Sequence, residues 1–270
     1  MIVTVVTPTL NAVVYLRECI ESARRNESKN VEVEHVIVDG GSTDGTVELC
    51  ESYGLRIIQG KDKGIFDAIN KGSFNSSGEL LGFLGADDVL LEGGLEAIAG
   101  AYRHSCKRWV VGGIRWIDEH GNILGGLAAP PSWLVPRIFV SFSWCSIMHM
   151  ATYISRDFYT ELGGFNTDFK LAGDFDLFAR ALSKAPYERV SSQIACYRRT
   201  GMNYSATNPQ LAAHEASLVQ KAFGPKSKLE RRMWRALMQV WLNFRNPQWF
   251  FRRKLGAILW RLGLQEKKYL

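Results

Sequence analysis

Hydrophobic and polar positions change rhythm several times along the first hundred residues. The opening run Ile2-Val-Thr-Val-Val-Thr7 is β-branched and predicts a strand that Pro8 ends. Residues 12–25 shift to a helical period, with Val13, Leu16, Ile20 and Ala23 on one face. A second strand reads over 33–39, Val33-Glu-His-Val-Ile-Val-Asp39. The Gly-rich loop 40–46, dense in Ser, Thr and Asp, follows it and is expected to cap a helix over 47–53. A short third strand covers 55–58. A fourth, apolar over 80–84, runs into Asp87-Asp88. Strands alternating with helices at short spacing predict an α/β domain with a mainly parallel sheet.

The polar residues gather at the strand ends. In open α/β sheets ligands bind beyond the carboxyl ends of the strands, and Asn11, Asp39 and Asp87-Asp88 all fall there. Two adjacent carboxylates closing a core strand are costly unless a cation sits against them. Hard oxygen ligands suit Mg2+ or Mn2+, which bind through one or two carboxylates plus substrate phosphates. The bland alternative is a solvated turn whose acids cap the helix after Gly93-Gly94.

Five blocks carry a resemblance. Thr7-Pro-Thr-Leu-Asn11, Asp39-Gly-Gly-Ser-Thr-Asp-Gly-Thr46, the stretch from Asp62 to Gly72, Ala86-Asp-Asp88, and Gly163-Gly-Phe-Asn-Thr-Asp168 continuing to Arg180 resemble, in order and spacing, the motifs of family 2 glycosyltransferases. The likeness spans roughly residues 1–205. It implies a GT-A fold, a Rossmann-like mainly parallel sheet flanked by helices. It also implies a nucleoside-diphosphate sugar donor, a UDP-sugar being expected, and inversion at the anomeric centre. By the same resemblance Thr7, Pro8 and Asn11 match the first nucleotide-binding loop and Asp39 the acid that contacts the base. Asp67, Asn70 and Lys71 fall in the block that closes over the nucleotide. Asp87 and Asp88 match the metal and ribose motif, Asp88 being the usual metal ligand. Asp174 matches the general base, with Asp176 two residues away. A strand would put both on one face and a helix would not, so spacing leaves both open. His149 matches a histidine preceding the acceptor strand; a further metal ligand and an ordinary core histidine stay open for it. The late loop Arg199-Thr-Gly-Met-Asn-Tyr-Ser205 departs from the family in having one Gly.

The chemistry suits these residues in its own right. A sugar hydroxyl needs a carboxylate to take its proton. A departing nucleoside diphosphate needs its growing charge stabilised. Displacement by the acceptor, with no enzyme nucleophile, inverts configuration. Two alternatives of other classes are a sugar nucleotidyltransferase and a non-catalytic membrane scaffold. The first is expected to open on a Gly-rich run with Arg and Lys, which Thr7-Pro-Thr-Leu-Asn11 lacks; the second is opposed by the intact acids.

Charge divides the chain. Residues 226–270 hold 12 Lys/Arg against Glu230 and Glu266, a net +10, whereas the whole chain is +6, leaving −4 on 1–225. The same tail carries Trp234, Trp241, Trp249 and Trp260, half of the eight tryptophans. The expected organisation is a catalytic domain over 1–225, with a nucleotide-sugar half at 1–100 and an acceptor half at 101–225, and a basic, aromatic, helical extension over 226–270 broken near Pro247. Basic residues interleaved with Trp, Phe and Leu suit an anionic membrane surface. Packing on the body or in a homodimer is the competing reading, and no nucleic-acid motif accompanies the patch. The five scattered cysteines show no C-x-x-C spacing and, with the absence of a signal-like start, suggest a cytoplasmic protein, peripheral at the inner face of the plasma membrane. A glycan or lipid-linked acceptor, in surface polysaccharide biosynthesis, fits that placement. Residues 138–155 lack Asp, Glu, Lys and Arg and predict a loop then a buried strand near the acceptor site; a transmembrane helix there would interrupt the domain.

Overall fold

The computed structural model describes residues 1–133, 147–201, 207–245, 247, 251, 254 and 255. The expected strands and helices form: β1 (Ile2–Thr9), α1 (Val13–Arg24), β2 (Glu32–Asp39), α2 (Thr46–Ser52), β3 (Arg56–Gln59), α3 (Ile65–Phe74) and β4 (Leu80–Phe83). β5 (Val89–Leu90), α4 (Gly94–His104), β6 (Trp109–Ile117) and β7 (Ile123–Leu127) follow. A 3-10 turn at His149–Ala151 leads into β8 (Thr152–Ser155), α5 (Arg156–Leu162), α6 (Gly173–Lys184), β9 (Glu188–Arg198), α7 (Pro209–Phe223) and α8 (Lys228–Arg245).

One sheet runs through the whole body in the order β3-β2-β1-β4-β8-β6-β9-β5, with β7 paired to β6. The first four strands are parallel; β8 is antiparallel to β4 and to β6. Its central strands are apolar on both faces, as parallel strands sandwiched by helices must be. Val36 and Val38 enter one core cluster while Ile37 enters the other. β1 continues through Pro8 to Thr9, one residue past the expected stop. The β1–β4 pairing ends at Val6 with Phe83, so the N–H that Pro8 lacks would have had no strand to meet. The two expected halves of the catalytic body share this sheet, because β8 sits between β4 and β6.

β8 is the buried strand expected within 138–155, with all four residues buried. Positions 138–146 of that stretch, the end of the late loop at 202–205, and Trp249 and Trp260 of the tail lie outside the described residues. Among the described residues no helix is long and apolar enough to cross a membrane. α8 lays Trp234, Met238 and Trp241 against the second core cluster, with Met238 fully buried. The four described cysteines are free thiols, three of them buried.

Candidate active site

The first two strand-end loops are built as one unit. Asn11 adopts a left-handed backbone, φ 51°, rare for a residue with a side chain. It is held there by the loop opposite: its N–H donates to Ser42 Oγ at 2.8 Å, and its Oδ1 accepts from Thr43 N–H at 2.9 Å. The same loop caps α1 as well as its own helix. Thr46 Oγ1 accepts from Ala12 N–H and Asp44 Oδ2 from Val13 N–H, satisfying N–H groups that open α1, while Asp44 Oδ1 accepts from Thr46 N–H at 3.1 Å at the start of α2. Asp39, 2% exposed, sits at the centre. Its Oδ1 accepts from the N–H groups of Gly41 and Ser42, and its Oδ2 from the hydroxyls of Thr9 and Ser42. Burial pushes its carboxyl up, but these hydrogen bonds outweigh it and hold the group below the usual range. Thr7 is fully buried and turns to His35, 2.9 Å away, while Pro8 is half-buried at the surface of the loop.

The α3 block divides in two. Asp67 and Lys71 pair at 2.9 Å, one turn apart, on the partly open side. Lys71 and the Lys63 N–H hold the Asp67 carboxyl low. Asn70 points inward. Its Oδ1 accepts from Tyr159 Oη and Phe165 N–H, and its Nδ2 donates to Phe165 O, so its amide ties α3 to the turn before α6.

Asp87 and Asp88 converge. A Cβ placed on Gly85 would lie 2.8 Å from Asp88 Oδ2 and 2.9 Å from Asp87 Oδ1, so both carboxylates face one spot that only a glycine leaves open. Asp88 is 1% exposed. Burial and the charge of Asp87 push its carboxyl well above the usual range, against the Arg198 N–H that donates to Oδ1 at 3.0 Å. Burial likewise raises Asp87. Two such carboxylates at one strand end could serve as donors to a hard divalent ion. Among the described residues no third His, Cys, Asp or Glu joins them in a cluster, so phosphate and water oxygens would complete the shell. The pair connects to the first loop through Cys19, whose Sγ lies 3.9 Å from Thr7 Oγ1 and 3.5 Å from Gly85 O.

Arg198, which sequence reasoning missed, locks this loop. Its side chain is almost wholly buried. It donates to the carbonyls of Asp87, Asp118 and Glu119, pairs with Glu18, and stacks over Tyr15. The signal was present in the same form as for Asp87-Asp88: a charge closing the apolar run Ile194-Ala-Cys-Tyr197.

The choice between Asp174 and Asp176 turns on the helix. Both lie in the first turn of α6, and the helix separates them. Asp176 is buried and salt-bridged to Arg180 at 2.7 Å, which in turn donates to the carbonyls of Leu162 and Gly164. Asp174 is the more open of the two. Burial raises its carboxyl to about 6, against the Phe175 N–H that donates to Oδ1. His149 stands beside it, Nδ1 3.9 Å from Oδ2, and burial lowers the imidazole to about 4, so it is neutral at pH 7. His149 is thus grouped with Asp174 and not with Asp87 and Asp88. A second residue missed by sequence reasoning, Glu215 of α7, accepts from the N–H groups of Lys170, Leu171 and Ala172 and fixes the segment leading into Asp174. Lys170 Nζ donates to Lys63 O at 2.6 Å, joining this segment to the stretch that opens the α3 block.

The chain has counterparts among known proteins. The model of glycosyl transferase family 2 matches residues 4–153. A PGL/p-HBAD biosynthesis glycosyltransferase of Mycobacterium tuberculosis is 30% identical over 188 residues, 67% of this chain and 69% of that protein. Chondroitin synthase of Escherichia coli is 28% identical over 204 residues, 73% of this chain and 29% of that one. Among solved structures, S. aureus TarS in complex with UDP-GlcNAc matches with a TM-score of 0.64 at 17% identity, over 87% of this chain and 71% of that one. The mannosyltransferase PcManGT of Pyrobaculum calidifontis, in complex with GDP-Man and Mn2+, matches with a TM-score of 0.55 at 19% identity, over 82% of this chain and 63% of that one. The structural likenesses carry the fold, which is of GT-A type. With the family model covering more than half of its 270 residues, the chain belongs to glycosyl transferase family 2 and is a glycosyltransferase.

Proposed function

We propose that this enzyme moves a hexosyl or N-acetylhexosaminyl group from a UDP-sugar to a hydroxyl of a glycan or lipid-linked acceptor, with inversion. The process served is surface polysaccharide biosynthesis at the inner face of the plasma membrane. The observation that carries the reading is the pair of acidic sites on the body: Asp87 and Asp88 converging over Gly85, and Asp174 raised to about 6 on α6. Asp174 takes the proton of the acceptor hydroxyl while that oxygen bonds to the anomeric carbon. The bond from that carbon to the diphosphate oxygen breaks on the opposite side, and the diphosphate leaves with the electron pair. A base pitched near neutral pH is ionised enough to act and basic enough to help. A single displacement of this kind inverts the centre. A divalent ion at Asp87 and Asp88, Mn2+ or Mg2+, would neutralise the charge gathering on the diphosphate. Asp39, Asn11 and Pro8 line the nucleotide side, with Asp67 and Lys71 along its edge.

Support for the donor comes from the TarS complex with UDP-GlcNAc, and for the ion from the PcManGT complex with Mn2+. The test is a donor screen, following nucleoside-diphosphate release from UDP- and GDP-sugars with Mn2+, Mg2+ or EDTA, and reading the anomeric configuration of the product by NMR. Turnover of a UDP-sugar that EDTA abolishes, with an inverted product, is expected. Undiminished turnover in EDTA, a retained configuration, or turnover confined to GDP-sugars would overturn the corresponding part.

A further inference from the structure

We propose that the outward face of α8 is a docking surface for an anionic lipid bilayer; this rests on the membrane placement proposed above and names the surface that makes it. α8 has three sides. The inner side carries Trp234, Met238 and Trp241, which pack on the body. The other two face solvent. One is apolar: Leu229, Met233, Leu237, Val240 and Phe244 follow each other at steps of four, four, three and four residues, a single stripe on a helix. They are 78%, 49%, 46%, 68% and 81% exposed, so an unbroken row of large apolar side chains lies in water on a helix that is already anchored from behind. Phe251 and Leu255, beyond the end of α8, are likewise 67% and 56% exposed. The remaining side is basic, with exposed Lys228, Arg232 and Arg235.

Apolar and basic strips side by side along one helix match the two layers of a membrane surface. The stripe fits the acyl boundary, and the lysine and arginines fit anionic headgroups. The charge selects the occupant. Residues 228–245 carry five Lys/Arg against Glu230, and the whole segment 226–270 carries +10. A second copy of the chain seated on this stripe would bring two such surfaces together, with like charges facing; an anionic lipid surface neutralises them. A docked α8 would hold the catalytic body beside a lipid-linked acceptor in the plane of the bilayer.

The test is flotation of the full chain with vesicles of phosphatidylcholine, with and without one-third phosphatidylglycerol, beside size-exclusion light scattering. Wild type is compared with Leu237→Glu/Val240→Glu, which charges the stripe, and with Arg232→Gln/Arg235→Gln, which neutralises the basic strip. The substituted positions are exposed, so both variants should keep the wild-type melting temperature and transfer to a soluble acceptor. The expected result is binding to the phosphatidylglycerol vesicles alone, at least about tenfold weaker for the stripe variant. Neutralising the basic strip should leave weaker binding that responds less to added NaCl. Wild type that ignores phosphatidylglycerol vesicles overturns the membrane placement as a whole. Equal binding by wild type and the stripe variant overturns the α8 face while leaving the placement to other residues of 226–270. A wild-type dimer that the stripe variant dissolves, without vesicle binding, gives the face to a second copy instead.

Discussion

Two strand-end acids on opposite sides of β1 show contrasting designs. Asp39, at the end of β2, is met by four hydrogen bonds from Thr9, Gly41 and Ser42, and its carboxyl lies below the usual range. Asp88, just beyond β4, is as deeply buried, yet it stands against Asp87 with its carboxyl well above that range. The fold answers Asp39 with donors of its own loop, whereas at Asp87 and Asp88 burial, and for Asp88 the charge of Asp87, outweighs the nearby Arg198. A carboxylate satisfied by its own loop holds that loop in shape. A pair raised by burial despite a neighbouring arginine is one whose ionised form a bound cation would favour. The contrast repeats on α6, where Asp176 is clamped by Arg180 and Asp174 is left raised to about 6.

Substitutions should separate the two designs. Asp174→Asn keeps the size of the side chain and removes its basicity, so turnover should fall by about 10² to 10⁴-fold with donor binding intact. Asp176→Asn should instead loosen the Arg180 clamp and lower the melting temperature. Abolished turnover in Asp176→Asn, with Asp174→Asn active, would exchange their roles. Asp88→Asn keeps an acceptor for the Arg198 N–H and should lose at least about 10²-fold in turnover, the scale of one strong electrostatic contact. Its thermal stability should hold or rise, because a buried repulsion is relieved.

The acid limb of kcat/KM sharpens the account of Asp174. Protonated, the carboxyl has no capacity to take the acceptor proton, so activity is present above its pKa and lost below it. The limb should fall through about 6, well above the value of an ordinary aspartate. A limb near 4, or none, would contradict the environment described here.

Asp39→Ala should do the reverse of Asp88→Asn. Losing four accepted hydrogen bonds around a buried site should cost about 2–4 kcal/mol of stability, read by denaturant unfolding, and weaken nucleotide binding as the loop loosens. The smallest effect is expected from Glu215→Gln. It replaces a charged acceptor of three N–H groups by a neutral amide and should cost about 1–2 kcal/mol, with a modest loss of turnover through Asp174.

Much of this was legible in the sequence. The alternation of strand and helix gave each of the first four strands within a residue or two, because apolar runs and periodic faces are local signals. The acids at strand ends were legible for the same reason. What stayed hidden depends on partners far along the chain. Nothing near Asp44 indicates that its carboxylate caps α1, 31 residues away, and nothing near Arg198 indicates Asp88, 110 residues away. Asp174 and Asp176 could not be separated until α6 set Arg180 one turn beyond Asp176. The insertion of β8 between β4 and β6 is likewise a property of the closed sheet, not of the four-residue strand.

The central claim is that the Asp87–Asp88 pair is built for a divalent ion that the Asp39 site does not need. Calorimetric titration of Mn2+ in the presence of UDP, on wild type and on Asp88→Asn, tests it most directly. The account predicts UDP-dependent Mn2+ binding by wild type and at least about tenfold weaker binding by a folded Asp88→Asn, the loss of one anionic ligand. Equal Mn2+ binding by the two proteins, or a wild type that turns over donor while binding no ion, would contradict it.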